Sequence, residues 1–113
     1  MAVITQIRGQ QIQAFGFETI TVAAAAGGIG PTLATINPAT KGYACRGVFT
    51  VETAQIRYRY DGTAPSSTVG HILNAGDVLE LEGIINLQNL LFIRTTGSSA
   101  TVQATYERVP QGL

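Results

Sequence analysis

The sequence predicts an all-β domain, a single antiparallel β-sandwich of the jelly-roll kind with about eight strands. The β-branched residues Val, Ile and Thr make up 33 of its 113 residues, and these side chains favour the pleated surface of a sheet. Thirteen glycines and four prolines are enough to separate many short strands. No window of 11 residues shows the apolar spacing of an amphipathic helix. A chain of this length is expected to form one domain.

The first 14 residues differ from the rest. They are polar and rich in glutamine, and they contain three isolated isoleucines: Ile4, Ile7 and Ile12. We therefore predict an extended N-terminal arm or edge strand over 1–14, the sandwich over 15–108, and a short C-terminal tail over 109–113, which contains Pro110.

The first half of the sandwich begins with a clear alternation over 15–22. Ile20 and Val22 share one face of the predicted strand, and Thr19 and Thr21 share the other, as the two-residue period of a strand requires. The glycines and the proline in 23–31 predict a loop. A short strand is predicted over 33–36, and a turn follows it over 37–42.

The second half alternates more regularly. Strands are predicted over 43–51, 54–60, 69–73, 78–82, 87–94 and 101–107. Gly47 is a candidate β-bulge. The segment 87–94 is nearly continuously apolar, which predicts a central strand buried on both faces or across an interface.

Charge and length exclude several classes of partner. The chain has seven basic and seven acidic residues, and only 12% of its residues are charged, about half of the usual share. This neutrality argues against nucleic acid as the main partner. The apolar stretch around 84–93 is broken by Asn86, Gln88 and Asn89 and is shorter than the ~20 residues of a membrane span. The first residues show no secretory-signal pattern.

Chemically reactive residues are scarce. Cys45 and His71 are the only residues of their types, so we expect no intrachain disulfide, no metal site and no cofactor. No nucleophile–base pair is visible, so no catalytic residue is assigned and an enzyme is not expected. His71 is predicted to be a surface or interface histidine at a strand end, and Cys45 a buried small apolar residue. The glycines of 27–30 lack the helix and lysine that a phosphate-binding loop needs, so a flexible loop is expected there.

Two pairs of like charges have the same spacing. Arg57 and Arg59 share one strand face, and Glu80 and Glu82 share another. A ladder of four charges would form if these strands lay side by side or met across subunits; plain solvated faces are the alternative. The candidate assembly residues are Ile4, Ile7, Arg8, Ile12, Arg57, Arg59, Glu80 and Glu82.

Tyr58 and Tyr60 lie beside those arginines on the opposite strand face. Two aromatic rings at this spacing form either part of the core, which is the commoner case, or a stacking platform for a sugar or single-stranded nucleic acid.

A resemblance covers about half of the chain. It lies in the segments 56–65, 69–71, 75–77, 79–83 and 92–97. These turns and strand faces resemble small β-rich structural proteins of tailed-bacteriophage virions; residues 1–47 carry no such likeness. The resemblance implies a non-enzymatic capsid decoration (cement) protein, located in the virion after assembly in the bacterial cytoplasm. It implies the major capsid protein as a partner and a homo-oligomer, a trimer or a dimer, with no nucleic-acid or membrane partner.

Two other functions remain open from the sequence. The first keeps the protein in the virion but places it in the head-tail connector, the neck or the tail. The second is a carbohydrate-binding β-sandwich module, which the absence of tryptophan disfavours.

Overall fold

The computed structural model describes residues 12–23, 26–38 and 42–109, and these form a β-sandwich. The elements in chain order are β1 (Gln13–Val22), α1 (Leu33–Ile36), β2 (Arg46–Glu52), β3 (Ile56–Arg59), β4 (His71–Leu73), β5 (Val78–Glu82), α2 (Ile84–Asn89), β6 (Leu91–Arg94) and β7 (Ala100–Arg108). The all-β prediction is confirmed, with seven strands in the described ranges. The jelly-roll arrangement is not confirmed.

The strands form two antiparallel sheets. The larger has the order β1-β7-β2-β5 and the smaller has the order β4-β3-β6. The first and last strands of the described chain are therefore neighbours in the four-stranded sheet. A β-bulge at Phe15 interrupts the register between Ala14 and Gly16. Strands β1 and β5 are the edges of this sheet.

The core lies between the two sheets. Phe49 of β2 packs its ring edge-on against Phe92 of β6, with 5.7 Å between the ring centroids, and against Tyr106 of β7 at 5.9 Å. All three side chains are fully buried. Because β2 and β6 belong to different sheets, the Phe49–Phe92 contact joins the two layers directly.

Gly47 is not the bulge that the sequence suggested. It stays in register with Leu81 on one side and Tyr106 on the other. A Cβ atom at Gly47 would lie 2.8 Å from the ring of Phe49 and 2.9 Å from Leu87. Because glycine has no side chain, Phe49 and Leu87 can pack directly over this position of β2.

The predicted strand over 33–36 is wrong, because the segment forms one helical turn. The amides of Thr35 and Ile36 donate to the carbonyl of Thr32, at 2.9 and 3.1 Å. Ile36 is buried while Leu33 is 60% exposed, so a single apolar anchor holds α1 against the sandwich.

The predicted strand over 87–94 divides into two elements. Residues up to Asn89 belong to α2, and only Leu91–Arg94 form a strand. Phe92 and Ile93 point to opposite faces of β6 and both are fully buried, so burial on both faces is confirmed for this part. The strand is not central, because the middle strand of its sheet is β3.

The glycine-rich segment 27–30 has a packing role. Ile29 forms an isolated antiparallel bridge with Phe92, with hydrogen bonds of 2.9 and 2.7 Å. A Cβ atom at Gly30 would lie 2.0 Å from the carbonyl oxygen of Leu90. The expected flexible loop is thus held against the outer edge of β6, and only glycine fits the close approach at residue 30.

Candidate functional site

The four-stranded sheet is the larger of the two sheets, and its outward side is a candidate interaction surface. Successive residues of a strand point to opposite faces, so the side chains that alternate with the core residues all point outward here. We call this surface the outer sheet face. Its central residues are Phe17, Thr19, Thr21, Val48, Thr50, Val78, Thr101, Gln103 and Thr105.

The register aligns these residues in rows across the sheet. One row runs from Phe17 through Thr105 and Val48 to Glu80. Phe17 is 62% exposed on the edge strand β1, and Val78 is 54% exposed on the opposite edge strand β5. The face therefore exposes two large apolar side chains on its two edges, with uncharged and mostly β-branched residues between them.

Polar side chains on this face bond to one another. The hydroxyl of Thr19 donates to Oε1 of Gln103 at 2.7 Å, and Nε2 of Gln103 donates to Oε1 of Glu52 at 3.1 Å. These bonds link β1, β7 and β2 side by side and fix the surface of the sheet.

Charge collects at one end of the outer sheet face. Arg46 of β2 forms ion pairs with Glu107 of β7, at 2.5 Å, and with Glu80 of β5, at 2.7 Å. Glu82 stands opposite Arg46 in the register, and its carboxylate has no partner among the described residues. One arginine thus faces three carboxylates, which leaves this end of the face acidic.

The four-charge ladder does not form within the chain. Arg57 and Arg59 lie on β3 and Glu80 and Glu82 lie on β5, and these strands belong to different sheets. Arg46 is the residue that pairs with Glu80 instead. A contact of the four residues across subunits stays a prediction.

The two arginines of β3 have local partners. Arg57 donates to the carbonyl oxygens of Ser67 and Gly70, at 3.1 and 2.7 Å, so it holds the loop after β3 over the outer side of the three-stranded sheet. Arg59 pairs with Asp61. Both guanidinium groups therefore help to shape the end of this sheet.

Of the remaining candidate assembly residues, the structure describes Ile12. Ile12 is 45% exposed and directly precedes β1. Ile4, Ile7 and Arg8 lie outside the described residues, as does most of the predicted arm. Their assignment to an interface stays a prediction.

A second feature is a pocket at the end of the three-stranded sheet. It has a volume of about 300 Å³ and is lined by Arg59, Tyr60, Asp61 and His71. Tyr58 contacts two of the lining residues: the centroid of its ring lies 6.3 Å from that of Tyr60 and 5.2 Å from that of His71. Tyr58 is half-buried and packs against the core, whereas Tyr60 is 40% exposed, so the expectation of a core residue is wrong for Tyr60.

The single histidine and the single cysteine of the chain differ in exposure. His71 opens β4 and is exposed, as its position in the sequence predicted. Cys45 is half-buried rather than buried, and burial raises the pKa of its thiol, which disfavours the reactive thiolate.

Sequence reasoning missed one polar cluster. The carboxylate of Glu18, on the core-facing side of β1, accepts hydrogen bonds from the amide and hydroxyl of Thr32, at 2.9 and 2.7 Å, and from the hydroxyl of Tyr106 at 2.5 Å. Burial is the main cause of a raised pKa at Tyr106, and the bond to Glu18 adds to it. This cluster ties the start of α1 to the sheet.

Among residues 12–23, 26–38 and 42–109, no group of three His, Cys, Asp or Glu side chains is placed to hold a metal ion. In the same ranges no helix has the length and apolarity that crossing a membrane requires.

The chain was compared with protein-family models, with curated proteins and with solved structures, and none of them matches it. The likeness to virion structural proteins therefore stays a prediction from the sequence.

Proposed function

We propose that the protein is a non-enzymatic structural protein of a tailed-bacteriophage virion, a capsid decoration protein that binds across the joints between capsid subunits. The observation that carries this proposal is the outer sheet face, with Phe17 62% exposed at one edge and Val78 54% exposed at the other. Its partners in the proposal are the major capsid protein and further copies of this chain.

The chemistry of the face suits packing against another protein. Its centre is uncharged, and interface cores are depleted of charged residues and enriched in aromatic ones. The hydrogen bonds among Thr19, Gln103 and Glu52 hold the surface in one shape before it binds, so little side-chain entropy is lost on docking.

The outer sheet face is smaller than a standard protein–protein interface, which limits the affinity it can provide alone. Four strands spaced ~4.8 Å apart over about five shared residues cover roughly 300 Å², against about 800 Å² per partner in a standard interface. A single copy would therefore bind weakly through this face. We assign the additional area to the arm predicted over 1–14; its exposed Ile12 directly precedes the edge strand β1.

Weak contacts stabilise a shell when many of them act together. Each copy that binds the assembled shell, and not the separated subunits, stabilises the shell by mass action, at ~2.7 kcal/mol per site when the free protein is at 100 times its Kd. Apolar burial supplies the binding energy, so the effect is expected to persist in high salt.

The test compares capsids that lack the protein with capsids incubated with wild-type protein or with a Phe17→Glu variant. We expect wild-type protein to raise the temperature at which the shells break, measured by light scattering, and Phe17→Glu to remove most of this gain. The charge of the glutamate would be desolvated on binding.

Ile85→Glu is the matched control, because Ile85 is 64% exposed on α2, outside the outer sheet face. It should protect as well as wild type, and both variants should keep the thermal unfolding midpoint of the free protein. Equal shell survival with and without wild-type protein would remove the cement role.

A further inference from the structure

The pocket at the end of the three-stranded sheet is an open surface pocket that the proposed shell contact does not use. It lies where β3 ends and β4 begins, whereas the outer sheet face belongs to the other sheet. Its volume of about 300 Å³ is at the lower end of the range for small-molecule pockets, which suits one or two small rings.

Its apolar part is a layer of three aromatic rings. Tyr58 and Tyr60 are nearly parallel, at an interplanar angle of 18°, and the ring of His71 leans against Tyr58 at 38°. Tyr58 thus holds both of the other rings in place while Tyr60 remains 40% exposed. A ring held in this way offers a flat apolar surface and loses little conformational entropy when a ligand binds.

Its polar part is a bidentate ion pair. Nε and Nη2 of Arg59 bond to Oδ1 and Oδ2 of Asp61, at 3.1 and 2.5 Å, and the amide of Thr63 also donates to Oδ1 at 3.3 Å. The Arg59 guanidinium holds the pKa of Asp61 below its usual range. Both groups therefore stay charged near neutral pH, and their charges cancel.

The ligand class follows from this combination. A ligand with a net charge would be attracted by one member of the pair and repelled by the other. A hydroxyl group both donates and accepts, so neighbouring hydroxyls can donate to the carboxylate and accept from the guanidinium. A pyranose ring also has an apolar face of C–H groups that fits the face of a tyrosine.

We propose that this pocket binds a neutral saccharide unit, with the sugar ring stacked on Tyr60 and its hydroxyls bonded to Asp61 and Arg59. Tyr58 and His71 are positioning residues for the stacking ring. A single site of this size is expected to bind with a Kd of about 1 mM, and several copies in one assembly would bind a repeated glycan more tightly.

The test is a titration of the isotope-labelled protein, followed by NMR, with glucose, galactose, mannose, N-acetylglucosamine and their disaccharides. At least one of these probes should shift the amide signals of Tyr60, Asp61 and His71. Tyr60→Ala should weaken this binding at least tenfold, whereas Tyr60→Phe should retain it because the ring remains.

Tyr43→Ala is the matched control, because Tyr43 is an exposed tyrosine outside the pocket; it should bind as wild type does. Asp61→Asn should also weaken binding, and glucuronic acid should bind less well than glucose. The proposal is overturned if no probe shifts these signals at 50 mM, if Tyr60→Ala binds unchanged, or if adenosine monophosphate binds better than every sugar. None of these outcomes bears on the shell contact, which is measured separately on capsids.

Discussion

Glu18 occupies a position in β1 where the alternation calls for an apolar residue. Its neighbours on that face, Ile20 and Val22, are buried, and Glu18 is accommodated because three donors reach its carboxylate. The sequence predicted the alternation, since it depends on adjacent residues. It could not predict the cluster, because Thr32 and Tyr106 are 14 and 88 residues away.

The hydroxyl of Tyr106 makes the free energy of unfolding depend on pH in the alkaline range. Its pKa is raised in the native state, so the native state keeps a proton that the unfolded chain loses above pH ~10. The contribution of Tyr106 is complete below that pH. Above it, the free energy of unfolding should fall by up to ~1.4 kcal/mol per pH unit.

The check is urea unfolding of wild type and Tyr106→Phe from pH 7 to pH 12. At pH 7 the variant should be less stable by about 1.5–3 kcal/mol, the value of the lost hydrogen bond to a charged group. The free energies of unfolding of the two proteins should converge above pH ~10, because only the wild type releases the Tyr106 proton on unfolding. Curves that stay parallel would show that Tyr106 does not titrate in this way.

At the scale of the elements, the sequence predicted strands well where the period of two was clean. The strands over 15–22, 78–82 and 101–107 are found almost as expected. The first part of the strand predicted over 87–94 was misread, because apolar residues are dense there. Ile84, Leu87 and Leu90 recur every three residues, and Asn86, Gln88 and Asn89 lie among them, a spacing that also fits a short helix.

Gly83 provides the physical reason for that helix. Its φ of 95° turns the chain out of β5, and its carbonyl accepts the amide of Leu87 at 3.0 Å. Leu87 then becomes buried beside Gly47. The helix is therefore set by packing against a strand almost 40 residues earlier, which a local pattern cannot reveal.

Replacement of Gly47 tests this packing. Gly47→Ala places a methyl group into the ring of Phe49 and the side chain of Leu87, and overpacking of this kind costs about 1–3 kcal/mol. Gly97→Ala is the control, because nothing lies within 4 Å of its Cβ position. Urea denaturation should separate the two variants; equal stabilities would mean that the core adapts freely around β2.

At the scale of the whole molecule, the fold separates two surfaces. The four-stranded sheet presents a broad outer face whose charged residues are Glu52 at one end and the group around Arg46 at the other, and the three-stranded sheet ends in the aromatic pocket. The all-β class follows from composition, because strand-forming residues dominate the chain. The division into sheets of four and three strands does not follow, since it depends on pairings between distant segments such as β1 and β7.

The candidate sites also depend on pairings between distant segments, which the sequence could not predict. The spacing of Arg57 and Arg59 suggested a shared charged face with Glu80 and Glu82, yet β3 and β5 lie in different sheets. Arg46, the residue that does pair with Glu80, gave no signal in the sequence. Tyr60 was visible as a possible stacking residue, but only the fold shows that its ring is exposed beside an ion pair.

The central claim is that the outer sheet face of this domain docks on a viral shell. A density map of whole phage particles tests it most directly, because the map gives both the position and the number of copies. We predict the sandwich in hundreds of copies over the joints between capsid subunits, with Phe17 turned toward the shell. A location in the neck or tail in about a dozen copies or fewer, or an outer sheet face turned toward solvent, would contradict the claim.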